Sequence, residues 1–325
     1  MPAEPNSAPP SRLRRALGRL APYVIAAVAV VVILGKYPPA RIAEEMTRGK
    51  LLPMVPYALL LLVTALATVA GSDTLVIHGC VQGPSYWRVL RARVGVALLG
   101  LVGYAAGIGG YGLWLARVTG AGAGLSGGMA LYIVSSDLVA VSLVTSAAIW
   151  IGGAEAAPAL GIAAPVIAAV LLALKLADHL PLVPTPKLPA VFLPWRKVKP
   201  GRLVAQLALR TANIYLNTLC AWGAANAFGM PVPLWAMATY FPLVLVVGSM
   251  PVNVAGIGAV QGAWLLLAPW ASSGEQVLAF AVLWQLMVGA GVVLRGLPFV
   301  RQVVGEIERG LDREDRALDH EASSD

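Results

Sequence analysis

The sequence predicts an all-α, polytopic integral membrane protein with about six full spans and two glycine-rich re-entrant hairpins. Three observations lead there. Of 325 residues, 58% are hydrophobic and only 12% charged, and mean hydropathy is +0.76. A soluble domain is nearer ~45–50% apolar and ~25% charged. The apolar residues fall in runs close to the ~20 needed to cross hydrocarbon, with charges clustered between them. Two of those runs are interrupted by glycines at corresponding places in the two halves, a pattern that points to discontinuous helices and an inverted repeat.

Residues 1–19 are Pro/Ser-rich, carry Arg12, Arg14, Arg15 and Arg19, and read as a disordered basic N-terminus. The apolar run 20–34 follows. Charged and apolar stretches in that order resemble a signal peptide, but Gly35-Lys36-Tyr37-Pro38-Pro39 offers no clean small-residue cleavage site. The favoured reading is an uncleaved first helix with its N-terminus in the cytoplasm. A membrane domain is expected over 20–300, with repeat halves 51–151 and 203–298 linked by a helix at 157–177. The apolar segments within it are 51–70, 94–116, 129–151, 157–177, 203–228, 234–247, 259–270 and 277–298. Residues 301–325 form a charged, solvated, cytoplasmic tail.

Orientation constrains the count. The loops 71–93 (Arg88, Arg91, Arg93) and 178–202 (Lys187, Arg196, Lys197, Lys199, Arg202) are basic and belong on the cytoplasmic side of an inner membrane. Both fall there only if one segment between them does not cross. Segment 94–116 holds Gly107-Ile108-Gly109-Gly110-Tyr111-Gly112, where glycine's backbone freedom weakens a helix, so a turn back is expected at Gly107 and Gly109. The tetrapeptide Ala106-Gly107-Ile108-Gly109 recurs as Ala255-Gly256-Ile257-Gly258 between the short segments 234–247 and 259–270. A second hairpin, hinged at Gly256 and Gly258, is expected to enter from outside. Chance matching in a glycine-rich chain is the competing explanation. The outer loop 35–50 fits less well, since Lys36, Arg41, Arg48 and Lys50 outnumber Glu44 and Glu45.

Few residues suggest chemistry. Cys80 and Cys220 and the scattered His78, His179 and His320 make neither a disulfide framework nor a metal spacing. No metal or cofactor is expected. Gly107, Gly109 and Gly112 match G-x-G-x-x-G, but that fingerprint requires a strand before it and a soluble helix after it. The net charge of +8 is placed beside membrane segments and reads as orientation and anionic-lipid contact, with no nucleic-acid partner. Trp87, Trp195, Trp222, Trp235, Trp270, Tyr37 and Tyr57 lie mostly near segment ends, as an interfacial belt does. No catalytic constellation appears, and the chain is read as not an enzyme.

Polar residues within the apolar segments are more informative, because a charge at the bilayer centre costs at least ~2.5–3.5 kcal/mol. Asp137 lies beside Ser135 and Ser136. Arg210 shares a stripe with Gln206, Asn213 and Asn217, whose spacings of four, three and four place them on one helical face. Asp137 and Arg210 are expected at similar depth, either paired or flanking one cavity. The plainer alternative is that Arg210 snorkels to the interface and Asp137 bonds a neighbouring hydroxyl. Asn253 and Gln261 flank the second glycine break, where free N–H groups favour an anion such as a lipid phosphate, or where the two side chains only satisfy the broken backbone. Asp137, Arg210, Asn213, Asn217, Asn253 and Gln261 are the candidate substrate-binding residues.

The stretch Pro251-Val252-Asn253-Val254-Ala255-Gly256-Ile257-Gly258-Ala259-Val260-Gln261 resembles a flippase-like family that includes the transmembrane region of lysylphosphatidylglycerol synthases. Members have a Pro-containing stretch, then Gly-x-Gly-x-Arg-Glu, then an apolar helix late in the chain. The region of Gly107 to Gly112, followed by Arg117 and Leu125-Ser126, resembles the family's first glycine-containing hairpin. The likeness covers nearly the whole chain in length and segment order, with degenerate motifs. The family's Arg-Glu pair falls on Val260 and Gln261, and the acid of the first hairpin falls near Tyr111. No aminoacyl-transferase domain is present, so the resemblance implies lipid translocation without lipid synthesis. The expected partners are membrane lipids, anionic or isoprenoid-type, and a lipid-synthesis protein. The alternatives are a non-catalytic membrane subunit of a lipid-synthesis system and a membrane-embedded lipid-modifying enzyme.

Overall fold

The computed structural model describes residues 30–48, 51–102, 104–152, 158–176, 189–250, 253–254 and 257–322. Over these residues the chain is almost wholly helical, in keeping with an all-α class. The helices are α1 (Pro39–Arg48), α2 (Val55–Cys80), α3 (Tyr86–Val102), α4 (Tyr104–Thr119), α5 (Ala123–Gly152), α6 (Pro158–Leu176), the short α7 (Leu193–Lys197), α8 (Pro200–Phe228), α9 (Leu234–Ser249), α10 (Ala259–Trp264) and α11 (Gly274–Ala322). A two-residue ribbon, β1 (Asn253–Val254) against β2 (Ile257–Gly258), is antiparallel with Asn253 opposite Gly258.

Three helices are long and apolar enough to cross a bilayer: Leu52–Cys80, Ala123–Gly152 and Gly274–Arg309. They turn large apolar side chains outward. Val63 is 71% exposed, Trp150 83% and Leu294 75%, a surface that a lipid solvent tolerates and water does not.

Two halves share one element order: a long helix, a hairpin of shorter helices, a long helix. In the first half these are α2, α3–α4 and α5; in the second, α8, α9–α10 and α11. The leading helices α2 and α8 make the most extensive contact in the molecule. They run antiparallel, since Tyr57 meets Gly223, Thr68 meets Asn213, and Gly79 meets Val198 and Arg202. The approach at Gly223 is so close that any Cβ there would strike the Tyr57 ring. Each hairpin then packs on the closing helix of the other half, α3 on α11 and α9 on α5. Gly95 abuts Phe299 and Val303 in the first crossing, and Gly152 abuts Trp235 in the second. The leading helices are thus antiparallel, and the packing of hairpin on closing helix is reciprocal between the halves.

The chain does not turn at the first glycine run. Helix α4 runs unbroken through Gly107, Gly109 and Gly112, so Gly107 and Gly109 are not hinge residues. Helix α3 ends at Val102 and α4 begins at Tyr104, and the two lie against each other: Gly107 packs on Gly100, and Gly110 sits 2.6 Å, measured from an ideal Cβ, from Leu99 Cδ1. Packing against a parallel-lying helix offsets glycine's low propensity here, and the small residues let α3 and α4 approach. In the second hairpin the helix does stop at Ser249. The chain passes through the ribbon and returns along α10 and a 3₁₀ turn, Leu265–Trp270. Gly256 lies outside the described residues, and Gly258 lies in the ribbon.

Other boundaries move as well. The expected loop 71–93 is largely helix, because α2 continues to Cys80 and α3 begins at Tyr86. The expected loop 35–50 contains α1, which packs on α11. Helix α8 ends where Gly229, at φ +96°, donates its N–H to the carbonyls of Ala225 and Asn226, the left-handed cap that glycine adopts without strain. Two large apolar cores result, with a smaller cluster of Ala140, Val141, Val144 and Ile214 between α5 and α8. One gathers Tyr111, Trp114, Tyr132, Ile133 and Leu203 around the first hairpin. The other gathers Phe228, Phe241, Trp264, Phe280 and Trp284 around the second. Trp235 and Trp270 pack edge to face at 5.4 Å in the second region, so packing as well as an interfacial belt accounts for them.

Candidate functional site

The site lies where α2 and α8 cross beside α3 and α5. Its centre is Arg210, 3% exposed on the face of α8 that also carries Gln206, Asn213 and Asn217. Arg210 Nε donates to Ser72 Oγ at 2.7 Å and Nη1 to Asp137 Oδ1 at 2.7 Å. Its Nη2 donates to Asp73 Oδ1. The second Asp73 oxygen accepts from Arg93 Nε, and the Arg93 guanidinium lies over the Tyr111 ring, 3.7 Å from its centroid. Asp73 is fully buried. Two carboxylates and two guanidiniums therefore form one charge-balanced network. Such balance is what permits burial, because a lone ion in low dielectric is strongly destabilising.

Arg210 and Asp137, expected to pair or to flank one cavity, do both. A cleft of about 280 Å³ is lined on its polar side by Asp137, Arg210, Asn213, Asn217, Tyr104 and Ser249, with Val69, Val134, Leu245 and Val246 among its apolar walls. Thr68 Oγ1 donates to Asn213 Oδ1 at 3.0 Å, and Asn217 Nδ2 donates to the Asn213 carbonyl at 2.7 Å. These bonds hold the stripe in register while leaving Asp137, 29% exposed at its side chain, toward the cleft. Deeper along the stripe, Ser136 Oγ donates to Gln206 Oε1 at 3.2 Å.

Gln261 is buried at the start of α10 and is not among the residues lining this cleft. The side chain of Asn253 lies outside what the structure describes. Four of the six candidate residues thus converge and one sits elsewhere.

Sequence reasoning missed Asp73 and Arg93, which had been read as parts of a basic loop. A signal was present for each. Asp73 is followed by Thr74-Leu75-Val76-Ile77, so the apolar run resumes behind it. Arg93 shares helical spacing with the buried Val89 and Val96, a face that faces inward. Lys175 was missed too. It is 1% exposed, with Nζ 3.1 Å from the Tyr132 carbonyl and 3.3 Å from that ring's centroid.

A larger groove adjoins the cleft. It encloses about 590 Å³ between α4 and α5 and is walled by small and apolar residues, Gly109, Gly112, Leu113, Gly127, Ala130 and Leu131 among them. Tyr104 and Val134 line both spaces. Among the described residues no group of three or more His, Cys, Asp or Glu side chains could hold a metal ion. No protein-family model matches the chain, and no curated protein is significantly similar to it.

Proposed function

We propose that this protein moves a lipid, or a lipid-linked substrate, between the leaflets of an inner membrane. The observation that carries the reading is the adjacency of a charged and amide-lined cleft to a wide apolar groove, with Tyr104 and Val134 forming their common wall. An amphipathic molecule needs both: polar groups to replace the water around its head, and an apolar surface beside them for its chains. The Asp137–Arg210 pair presents both signs of charge to the cleft, so a zwitterionic or anionic head can exchange partners with it.

In this reading the chain makes six full spans, and the two hairpins are re-entrant. The first enters from the cytoplasmic side, with the basic segments and both termini, and the second from the opposite side. Backbone that stops short of crossing is tolerated at depth only against protein or a wet cavity, and both hairpins are packed on the closing helix of the other half. The family resemblance of the glycine-rich stretches supports the same function. Uphill movement would require an ion gradient or a partner, since the sequence carries no Gly-Lys-Ser/Thr phosphate loop.

Reconstitution into liposomes with fluorescent lipids of several head groups tests the reading directly. Exchange is expected with the native chain, falling sharply with Asn217→Leu in the cleft and with Leu113→Trp in the groove. Identical exchange in empty and protein-containing vesicles for every lipid class would overturn it. A cysteine introduced at Thr119 and labelled only from the outer face would overturn the orientation alone.

A further inference from the structure

The charge-balanced network does not include Arg295, a half-buried arginine. Arg295 lies on α11, within the apolar stretch Gly274–Arg309. Its Nη1 donates to the Leu62 carbonyl at 2.6 Å, and its Nε is buried with no hydrogen-bond partner. Among the described residues no carboxylate lies within salt-bridge distance of it, in contrast to Arg93 and Arg210. Its partner carbonyl belongs to the tenth residue after the start of the span Leu52–Cys80, roughly 15 Å along a helix rising ~1.5 Å per residue. That depth lies within the hydrocarbon of a ~30 Å core.

Arg295 borders a second cavity, which shares Val69 and Tyr104 with the wall of the Asp137 cleft. About 300 Å³ is enclosed between α2, α3, α4 and α11, lined by Arg93 and Arg295 with Ala65, Ala97, Gly100 and Tyr104 among the rest. No carboxylate lines it. The Arg93 side chain borders the cavity while its Nε donates to Asp73. An ideal Cβ at Gly100 would meet no atom within 4 Å, so the cavity wall there is unfilled. Two guanidiniums bordering one pocket with a spare donor and no acid match the fork geometry that recognises a phosphate.

We infer that the Arg93–Arg295 cavity is an anion-binding site that takes a phosphate group, either on a lipid head or as free phosphate. Occupancy supplies the charge that Arg295 lacks and satisfies its orphaned Nε. The inference rests on the cavity and its donors, and holds whether or not the protein transports lipid.

The test uses the full chain purified in a neutral detergent, with three probes: dioctanoyl phosphatidic acid, dioctanoylglycerol and inorganic phosphate. Thermal unfolding and native mass spectrometry read binding. The phosphatidic acid is expected to raise Tm and to remain bound, while dioctanoylglycerol does neither. Arg295→Met should weaken that binding about tenfold or more, the loss of one charge-assisted contact, and Arg295→Lys should recover part of it. Ala97→Leu, which fills the cavity and leaves every charge in place, should weaken it as well, so a folding defect in one variant does not leave the question open. Protection by inorganic phosphate equal to that by the lipid would support the site with free phosphate as its source. Binding of both phosphates that is unchanged by Arg295→Met and Ala97→Leu would overturn the inference.

Discussion

The two hairpins occupy equivalent positions and are embedded in different chemistry. Around the first, Tyr111 and Trp114 stack at 5.6 Å, and next to them Arg93, Asp73, Arg210 and Asp137 form a buried ionic network. Around the second, Phe241, Trp264, Phe280 and Trp284 succeed one another as ring-on-ring contacts, and among the described residues no ion pair lies in that core. An apolar aromatic core is stable whatever passes through the molecule, because its burial is non-directional. An ionic network is conditional: it is favourable only while every charge keeps a partner. Under the proposed function, the second hairpin anchors the fold and the first responds to the substrate. The latch at the rim of the first fits this division, since Glu306 accepts from Arg88 Nε at 3.1 Å and from Trp114 Nε1 at 2.7 Å, tying α11 to both helices of that hairpin.

The comparison can be broken most severely at Asp73. Asp73→Asn strips both guanidiniums of a partner and is expected to lower stability by about 5 kcal/mol, read as unfolding temperature in detergent. A loss under ~1 kcal/mol would show that the network is not a unit. For the same reason, exchanging Asp137→Arg with Arg210→Asp should not rescue either single variant, because the new acid at 210 would face Asp73. Next in size, Trp264→Ala removes the hub of the second core and should cost about 3–4 kcal/mol. Lipid exchange per folded molecule, measured at reduced temperature, should stay near the native value; a collapse of exchange there would erase the functional contrast between the hairpins.

Arg210→Lys sharpens the comparison. One ammonium cannot reach Ser72, Asp73 and Asp137 together in the planar geometry that arginine provides, and a loss of about 2 kcal/mol is expected. Exchange should fall with it by more than the change in folded fraction. The smallest effect is Ser72→Ala, about 1.5 kcal/mol for the loss of a hydroxyl that accepts from the charged Arg210 Nε, with exchange little altered. Denaturation profiles of the two variants side by side check the ordering.

Much of this was legible in the residues and part was not, for identifiable reasons. The stripe Gln206, Arg210, Asn213 and Asn217 follows from helical periodicity, which is local, and the structure turns that whole face inward. The glycine run was read as the turn itself, and the structure carries helix through it. Glycine's entropic cost is a propensity of ~1 kcal/mol, and packing of α4 against α3 and α5 exceeds it. Asp73 was lost to a boundary. A charge ends an apolar run in any hydropathy reading, and only a partner arriving from 137 residues away, Arg210, lets the helix carry that charge inward.

Sequence alone determined the helical class, the presence of long apolar helices and which face of α8 is polar, since composition and period act over a few turns of chain. Tertiary structure decided that α2 and α8 cross antiparallel, that Asp73 and Arg93 join Arg210 and Asp137, and that Arg295 is left without an acid. Those outcomes depend on which charges meet across the bundle, and a buried charge is acceptable or costly only by virtue of the neighbour that folding brings to it.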